Sequence, residues 1–146
     1  KDAQQLMAVR RMIYDLDVPV EVVAGPTVRD ADGLALSSRN AYLDADQRAR
    51  ALALWRSLRA AAQAVATGAD ADGVRAAARG LLEREPGVDV DYVALVDPAD
   101  ATDVAPDHRG EAVLAVAARV GATRLIDNVV LHLGARGDGT TTGGTA

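Results

Sequence analysis

The stretch Leu81–Pro98, LLEREPGVDVDYVALVDP, is where the pattern of the chain changes. Up to Glu85 the apolar residues recur at helical spacing. Pro86-Gly87 stops that helix, and from Val88 onward apolar residues fall at every second position. Val88, Val90, Tyr92, Ala94 and Val96 are therefore expected to point inward from a half-buried strand over 88–98. Downstream, EAVLAVAARVG (111–121) and TRLIDNVVLHL (123–133) are two more strand candidates. Upstream, LDADQRARALALWRSLRAAAQAVATG (43–68) reads as a long helix. Asp44 caps it, Gln47 three residues on closes a capping box, and Gly68 ends it. Its expected buried stripe is Leu52, Trp55, Leu58, Ala62 and Val65, with Trp55 as a core residue. A second helix runs over 70–85. Two helices followed by three strands read as α+β, with helices packed on one face of a three-stranded antiparallel sheet.

Residues 2–16 form a separate amphipathic helix with Leu6, Val9, Ile13 and Leu16 on one face. Asp17 and Pro19 end it. VPVEVVAG (18–25), closed by Gly25-Pro26, is short and β-branched and is expected to be a strand. A helix followed by a strand suggests the last unit of an α/β sheet, whose earlier strands would precede Lys1. Lys1 is not a start methionine, and helical periodicity begins at once, so the chain reads as part of a longer one. A domain boundary is expected near residue 40.

Composition narrows the function classes. Hydrophobic residues make up 49% of the chain but aromatics only 3%, with no Phe, so the core is expected to be aliphatic. The absence of cysteine excludes disulfides and thiolate metal sites. His108 and His132 are too far apart in sequence to suggest a zinc site. A net charge of −5 argues against general nucleic-acid binding. No apolar run approaches the roughly 18 residues of a membrane span, and no signal pattern opens the chain. The expectation is a cytoplasmic protein without membrane contact. The acidic loop Asp97–Asp107 fits no calcium-loop spacing and reads as a solvated turn. Arg124 and Asp127 are candidates for a structural pair on the last strand. The Gly/Thr-rich tail 135–146 is expected to be disordered.

Two clusters suit chemistry. In Gly33–Asn40, GLALSSRN, two hydroxyls precede a guanidinium inside a long connection. Ser37 and Ser38 can donate to phosphate oxygens, and the planar fork of Arg39 matches phosphate geometry. Leu34 and Leu36 can face an aromatic base. Ser and Asn are also ordinary loop residues and Arg an ordinary solvated side chain, so composition alone leaves both readings open. The second cluster is Lys1, Asp2 and Gln5, which fall within one quadrant of the first helical turn. A lysine is poorly placed at the positive end of a helix, and an anionic ligand would relieve that conflict. A solvated helix end explains the same residues equally well.

The order of motifs resembles a known family. KDAQQL with RRM (from Lys1), GPTVRDADGLALSSRN (from Gly25), VDYVALVD (from Val90) and LAVAARVGATRLIDN (from Leu114) match, in order, the C-terminal half of pantothenate synthetase (pantoate–β-alanine ligase). The resemblance covers nearly all of the chain except the tail. It implies that residues 1–40 are the last helix–strand unit and phosphate loop of a Rossmann-like nucleotide-binding domain, and 41–134 a C-terminal α+β lid domain. It implies a two-step reaction: ATP and pantoate give pantoyl adenylate and pyrophosphate, then the amine of β-alanine displaces AMP to form pantothenate. It implies Mg2+ with the nucleotide, and a cytoplasmic homodimer at full length. Lys1 and Asp2 match the end of the family's Gly-x-Lys-Asp segment, at the ATP phosphates and the ribose. Gln5 matches a pantoate-binding glutamine, and Val28 the position whose backbone meets adenine. Leu36, Ser37, Ser38 and Arg39 match the family's counterpart of the synthetase KMSKS loop. The family's His-x-Gly-His segment, its first pantoate-binding glutamine and its acidic magnesium site lie in the missing N-terminal half. The chain alone is therefore expected to be inactive. Two other readings stay open: a stand-alone nucleotide-binding or assembly domain, and an adenylate-forming enzyme with a different acid substrate.

Overall fold

A computed structural model describes residues 1–134; the tail expected to be disordered lies outside the described residues. Three helices, α1 (Ala3–Asp15), α2 (Ala45–Ala66) and α3 (Ala71–Glu83), precede three strands, β1 (Val88–Val96), β2 (Gly110–Val120) and β3 (Thr123–Leu133). A short 3-10 helix, Ser38–Tyr42, lies between α1 and α2. The strands form one antiparallel sheet in the order β1-β2-β3. The α+β architecture read from the sequence is the one observed.

α2 starts as its sequence predicts. The Asp44 side chain accepts from Gln47 N at 2.8 Å, and the Gln47 side chain accepts from Asp44 N at 3.2 Å. Asp70 caps α3 in the same way, accepting from Gly73 N at 2.8 Å. The buried face of α2 is rotated from the expected stripe. Its centre is Leu54, Leu58 and Ala61, while Leu52, Trp55, Ala62 and Val65 are only partly covered. The reason is that α2 is gripped on two sides, by α3 and by the sheet. Small residues Ala51, Ala53 and Ala61 allow that close approach. Ser57 is buried among them and is satisfied by donating to Leu54 O at 2.7 Å.

The strict alternation expected of β1 is interrupted. The pairing with β2 shifts between Val90 and Tyr92, so one extra residue, Asp91, sits on the bulged side. Val88 and Val90 pack on the core before the bulge, and Val93 and Leu95 after it. Tyr92, Ala94 and Val96, expected inward, turn to the opposite face of the sheet because the bulge reverses the parity. β2 and β3 are joined by the two-residue turn Gly121-Ala122, with Gly121 at φ 58°. Inward residues Leu114, Val116, Leu125, Leu131 and Leu133 complete an aliphatic core against α2 and α3. Burying each such leucine contributes about 1.5–3 kcal/mol.

α1 stands apart from this core. Met7 is its one buried residue, and Leu16, at the end of the expected apolar face, is exposed. Residues 18–25 form no strand, contrary to the sequence expectation. A β-branched run needs a neighbouring strand to pair with, and none of the described residues supplies one beside it. Val20 and Val23 remain exposed. The acidic loop after β1 is used for turns. Asp97 accepts from Ala99 N, and Asp100 from Thr102 N and Oγ1. Hydrogen bonds from Asp97 N to Thr102 O and Val104 N to Leu95 O fold the loop back along β1.

Candidate active site

The connection carrying Ser37-Ser38-Arg39 is an ordered hairpin. Leu36 N donates to Val28 O at 2.9 Å, Asp30 N to Leu34 O at 2.9 Å and Gly33 N to Asp30 O at 2.9 Å. Asp32 accepts from Leu34 N at 3.1 Å, a local turn bond its short side chain is suited to make. That bond, ahead of the Arg48 contact, holds the Asp32 carboxyl below its usual 3.8. Arg48 on α2 reaches Asp30 and Asp32, both at 2.8 Å. Leu34 enters the core cluster. The hairpin thus plugs into the helical layer at its tip, while its open end presents the chemistry. Val28 and Leu36, joined across the hairpin, expose 62% and 49% of their surfaces. Two such apolar side chains side by side suit the flat face of a base.

Arg29 makes the strongest link. Its guanidinium forms a bidentate pair with Asp127 on β3, at 2.5 and 3.0 Å, and donates to Gly33 O at 3.2 Å. It lies 3.9 Å from the centre of the Trp55 ring. The side chains of Arg29 and Asp127 are 17% and 3% exposed. A planar fork stacked on an indole and locked to a carboxylate is a geometry that arginine alone provides. Asp127 therefore pairs with Arg29 and not, as expected, with Arg124. Arg124 bonds Asp91 of the bulge at 2.5 Å instead. The strand explains the exchange, because Asp127 faces the helices whereas Arg124 faces the other side with Tyr92.

The first cluster assembles at the edge of β3. The helix begins at Ala3, so Asp2 is its cap, accepting from Gln5 N at 3.1 Å, and Lys1 precedes it. The open helix end expected to attract an anion is thus already capped by Asp2. The Asn128 amide donates to the Lys1 carbonyl oxygen. Lys1 is an exposed residue, yet its ammonium is partly shielded. Burial lowers its pKa from the usual 10.5; Asp127 opposes this, Arg39 adds to it, and Asp2 opposes it. Lys1 and Arg39 thus lie within electrostatic reach of each other. The Tyr92 phenol is raised above its usual 10.0, first by burial and against Arg124, with Asp2 adding to the shift. The start of α1 therefore lies over the face of the sheet turned away from α2 and α3.

Between these parts runs a cleft of about 720 Å³ whose wall includes Lys1, Asp2, Gln5, Arg29, Trp55 and Asn128. Val28, Leu36, Ser37, Ser38 and Arg39 do not line it. Ser37 caps the 3-10 helix, its Oγ accepting from Arg39 N at 3.3 Å, and its O–H remains free to donate. Ser38 and Arg39 are exposed. Arg29, Trp55, Asp127 and Asn128 were not singled out for the site from sequence. Asp127 carries a legible signal, an acid in the inward phase of β3 between Leu125 and Val129. Among the described residues no three of His, Cys, Asp or Glu converge on a point able to hold a metal ion. These residues do not fit a Mg2+ site. No helix among the described residues is long and apolar enough to cross a membrane.

Comparison with known proteins identifies the family. The family model described as Pantoate-beta-alanine ligase matches residues 1–130. A pantothenate synthetase of Thermobifida fusca is 61% identical over 137 residues, covering 91% of this chain and 46% of that protein. The crystal structure of pantothenate synthetase from Thermus thermophilus superposes with a TM-score of 0.83 at 43% identity, covering 88% of this chain and 46% of that one. The pantoate-beta-alanine ligase from Francisella tularensis, complexed with beta-gamma ATP and beta-alanine, shares the fold at a TM-score of 0.55 and 23% identity, covering 89% of this chain and 41% of that one. The chain spans about half the length of the curated relatives it matches. With 130 of its 146 residues inside the family match, this chain belongs to the pantoate-beta-alanine ligase family.

Proposed function

We propose that this chain is the C-terminal part of an ATP-dependent ligase that condenses pantoate with β-alanine through a pantoyl adenylate. The observation that carries the reading is the match of residues 1–130 to the ligase family, and the electrostatic influence of Arg39 on Lys1 agrees with it. Two cations held near one another with a lowered lysine pKa form a site that gains from a polyanion.

In the first step a pantoate carboxylate oxygen attacks the α-phosphorus of ATP, and the bond to the β-phosphate oxygen breaks. Lys1 and Arg39 balance the charge gathering on the departing pyrophosphate, and the Ser37 and Ser38 hydroxyls donate to its oxygens. The Val28 backbone meets the adenine beside Leu36, Asp2 meets the ribose, and the exposed Gln5 amide holds pantoate. In the second step the amine of β-alanine attacks the acyl carbon, AMP leaves, and a proton is lost from nitrogen. No enzyme nucleophile is needed, because positioning and charge balance lower the barrier. The division at residue 40 belongs to this reading: 1–40 close a nucleotide-binding domain, and 41–134 form its lid. Cytoplasmic location, Mg2+ from an upstream site and a homodimer at full length go with it.

The test is AMP release from ATP, pantoate and β-alanine by the longest natural product containing Lys1–Ala146, beside the 146-residue chain alone. The expected result is AMP only when both acids are present, and none from the chain alone. Turnover by the 146-residue chain would overturn the division of the active site. Nucleotide binding without AMP from the longer product would favour a binding domain instead.

A further inference from the structure

Asp127 and Asn128 are consecutive residues of an edge strand, so their side chains leave opposite faces of the sheet. Asp127 points to the helical face and holds Arg29 of the hairpin by two hydrogen bonds. Asn128 points to the other face and holds the Lys1 carbonyl. The two are fixed to each other, since Asn128 N donates to Asp127 Oδ1 at 2.8 Å. Two groups from distant parts of the chain, the Arg29 guanidinium and the Lys1 carbonyl, are thereby tied through two adjacent residues of β3.

From this juxtaposition we infer that Asp127-Asn128 is a positioning clamp that sets the register between the Lys1-Asp2-Gln5 cluster and the Val28–Arg39 hairpin. The inference rests on the proposed function, in which those two clusters grip the same nucleotide. Neither cluster holds the other by a direct hydrogen bond among the described residues. The hairpin is anchored at its tip by Arg48 and Leu34, and α1 has few attachments of its own. β3 is the rigid member between them, paired with β2 along its full length. Both residues are occupied by protein groups, so neither is catalytic. Their effect is on where Lys1 and Arg39 stand when a phosphate chain arrives.

Hydrogen exchange read residue by residue in the full natural chain tests the clamp, with ATP affinity measured on the same variants. Asn128→Ala is expected to raise exchange about tenfold at Gln5 and Leu6, the amides of the first turn of α1, and to spare Asp30, Gly33 and Leu36. Arg29→Lys keeps the charge but loses the fork, and is expected to do the reverse. Asp127→Asn is expected to loosen both segments. All three are expected to weaken ATP binding while the amides of α3 stay protected. If Asp127→Asn loosens α3 as well, the two milder variants decide. Unchanged exchange at Gln5 and Leu6 in Asn128→Ala, or equal loosening of both segments by each mild variant, would overturn the clamp. A wild-type chain that binds no ATP would overturn the functional reading, and the exchange pattern would still decide the clamp.

Discussion

Gly33 passes so close to Trp55 that a Cβ built on it would lie 2.2 Å from Trp55 Cδ1. Its φ is 96°, in the region glycine favours. The same indole carries the Arg29 guanidinium on its face, so backbone, ring and cation form one stack under the hairpin. Gly33→Ala is expected to cost about 2 kcal/mol or more, combining backbone strain with overpacking. A lowered urea midpoint with a shifted Trp55 fluorescence maximum would be the signature. Unchanged fluorescence would mean the stack does not depend on this contact.

Breaking the Arg29–Asp127 pair leaves a buried charge without its partner. Arg29→Met is expected to destabilise the fold by about 3–5 kcal/mol. Arg29→Met combined with Asp127→Asn is expected to cost clearly less than the sum of the two single replacements, because no charge is then stranded. Denaturant midpoints of the four proteins measure this. Strict additivity would show that the two side chains do not interact energetically.

Lys1 gives a pH prediction with a definite sign. Shielding and Arg39 lower its pKa in the free protein, and a bound polyphosphate would raise it. Affinity for a nucleotide triphosphate is therefore full below the lowered pKa. It falls as pH rises through that value toward the pKa of the complex. Titration calorimetry on the alkaline side reads the effect. Lys1→Gln is expected to bind more weakly and to lose this limb, and a limb that survives the substitution would assign it elsewhere.

Ser38 and Arg39 separate binding from chemistry. In the full-length protein Ser38→Ala is expected to slow adenylate formation more than it weakens ATP binding, since a contact to the leaving group strengthens as charge develops. Arg39→Lys keeps the charge and loses the bidentate fork, and is expected to be harmful as well. Single-turnover rates against ATP affinity measure both. Equal losses in the two quantities would assign these residues to ground-state binding.

The periodicity of α2 and α3, the capping box and the switch of period at Val88 made the α+β frame readable, because local forces write those features. The bulge at Asp91 was not readable. It depends on Arg119 and Arg124 arriving from two other strands, and alternation in the sequence continues across it. The run at 18–25 has strand composition but lacks a partner here, so propensity without pairing misled. Of the proposed site, Lys1, Ser37, Ser38 and Arg39 stood out because their side chains suit phosphate, whereas Asp2, Gln5 and Val28 took their roles from the family resemblance alone. Arg29 and Asp127 could not, since their meaning lies in a contact that spans most of the chain. Trp55 looked like core; it packs against the core and also serves as the platform for that contact.

The displaced register of β1 bears on how the molecule avoids its own kind. β1 is an edge strand, and a flat apolar edge invites pairing with another copy. The bulge bends it at Asp91, where a charged side chain and its arginine partners occupy the surface. At the other end the bridge between Val96 and Asp103 already fills part of the free edge. Together they leave β1 a kinked and partly occupied template for sheet extension, so the feature that re-aims its side chains also works against edge-to-edge pairing.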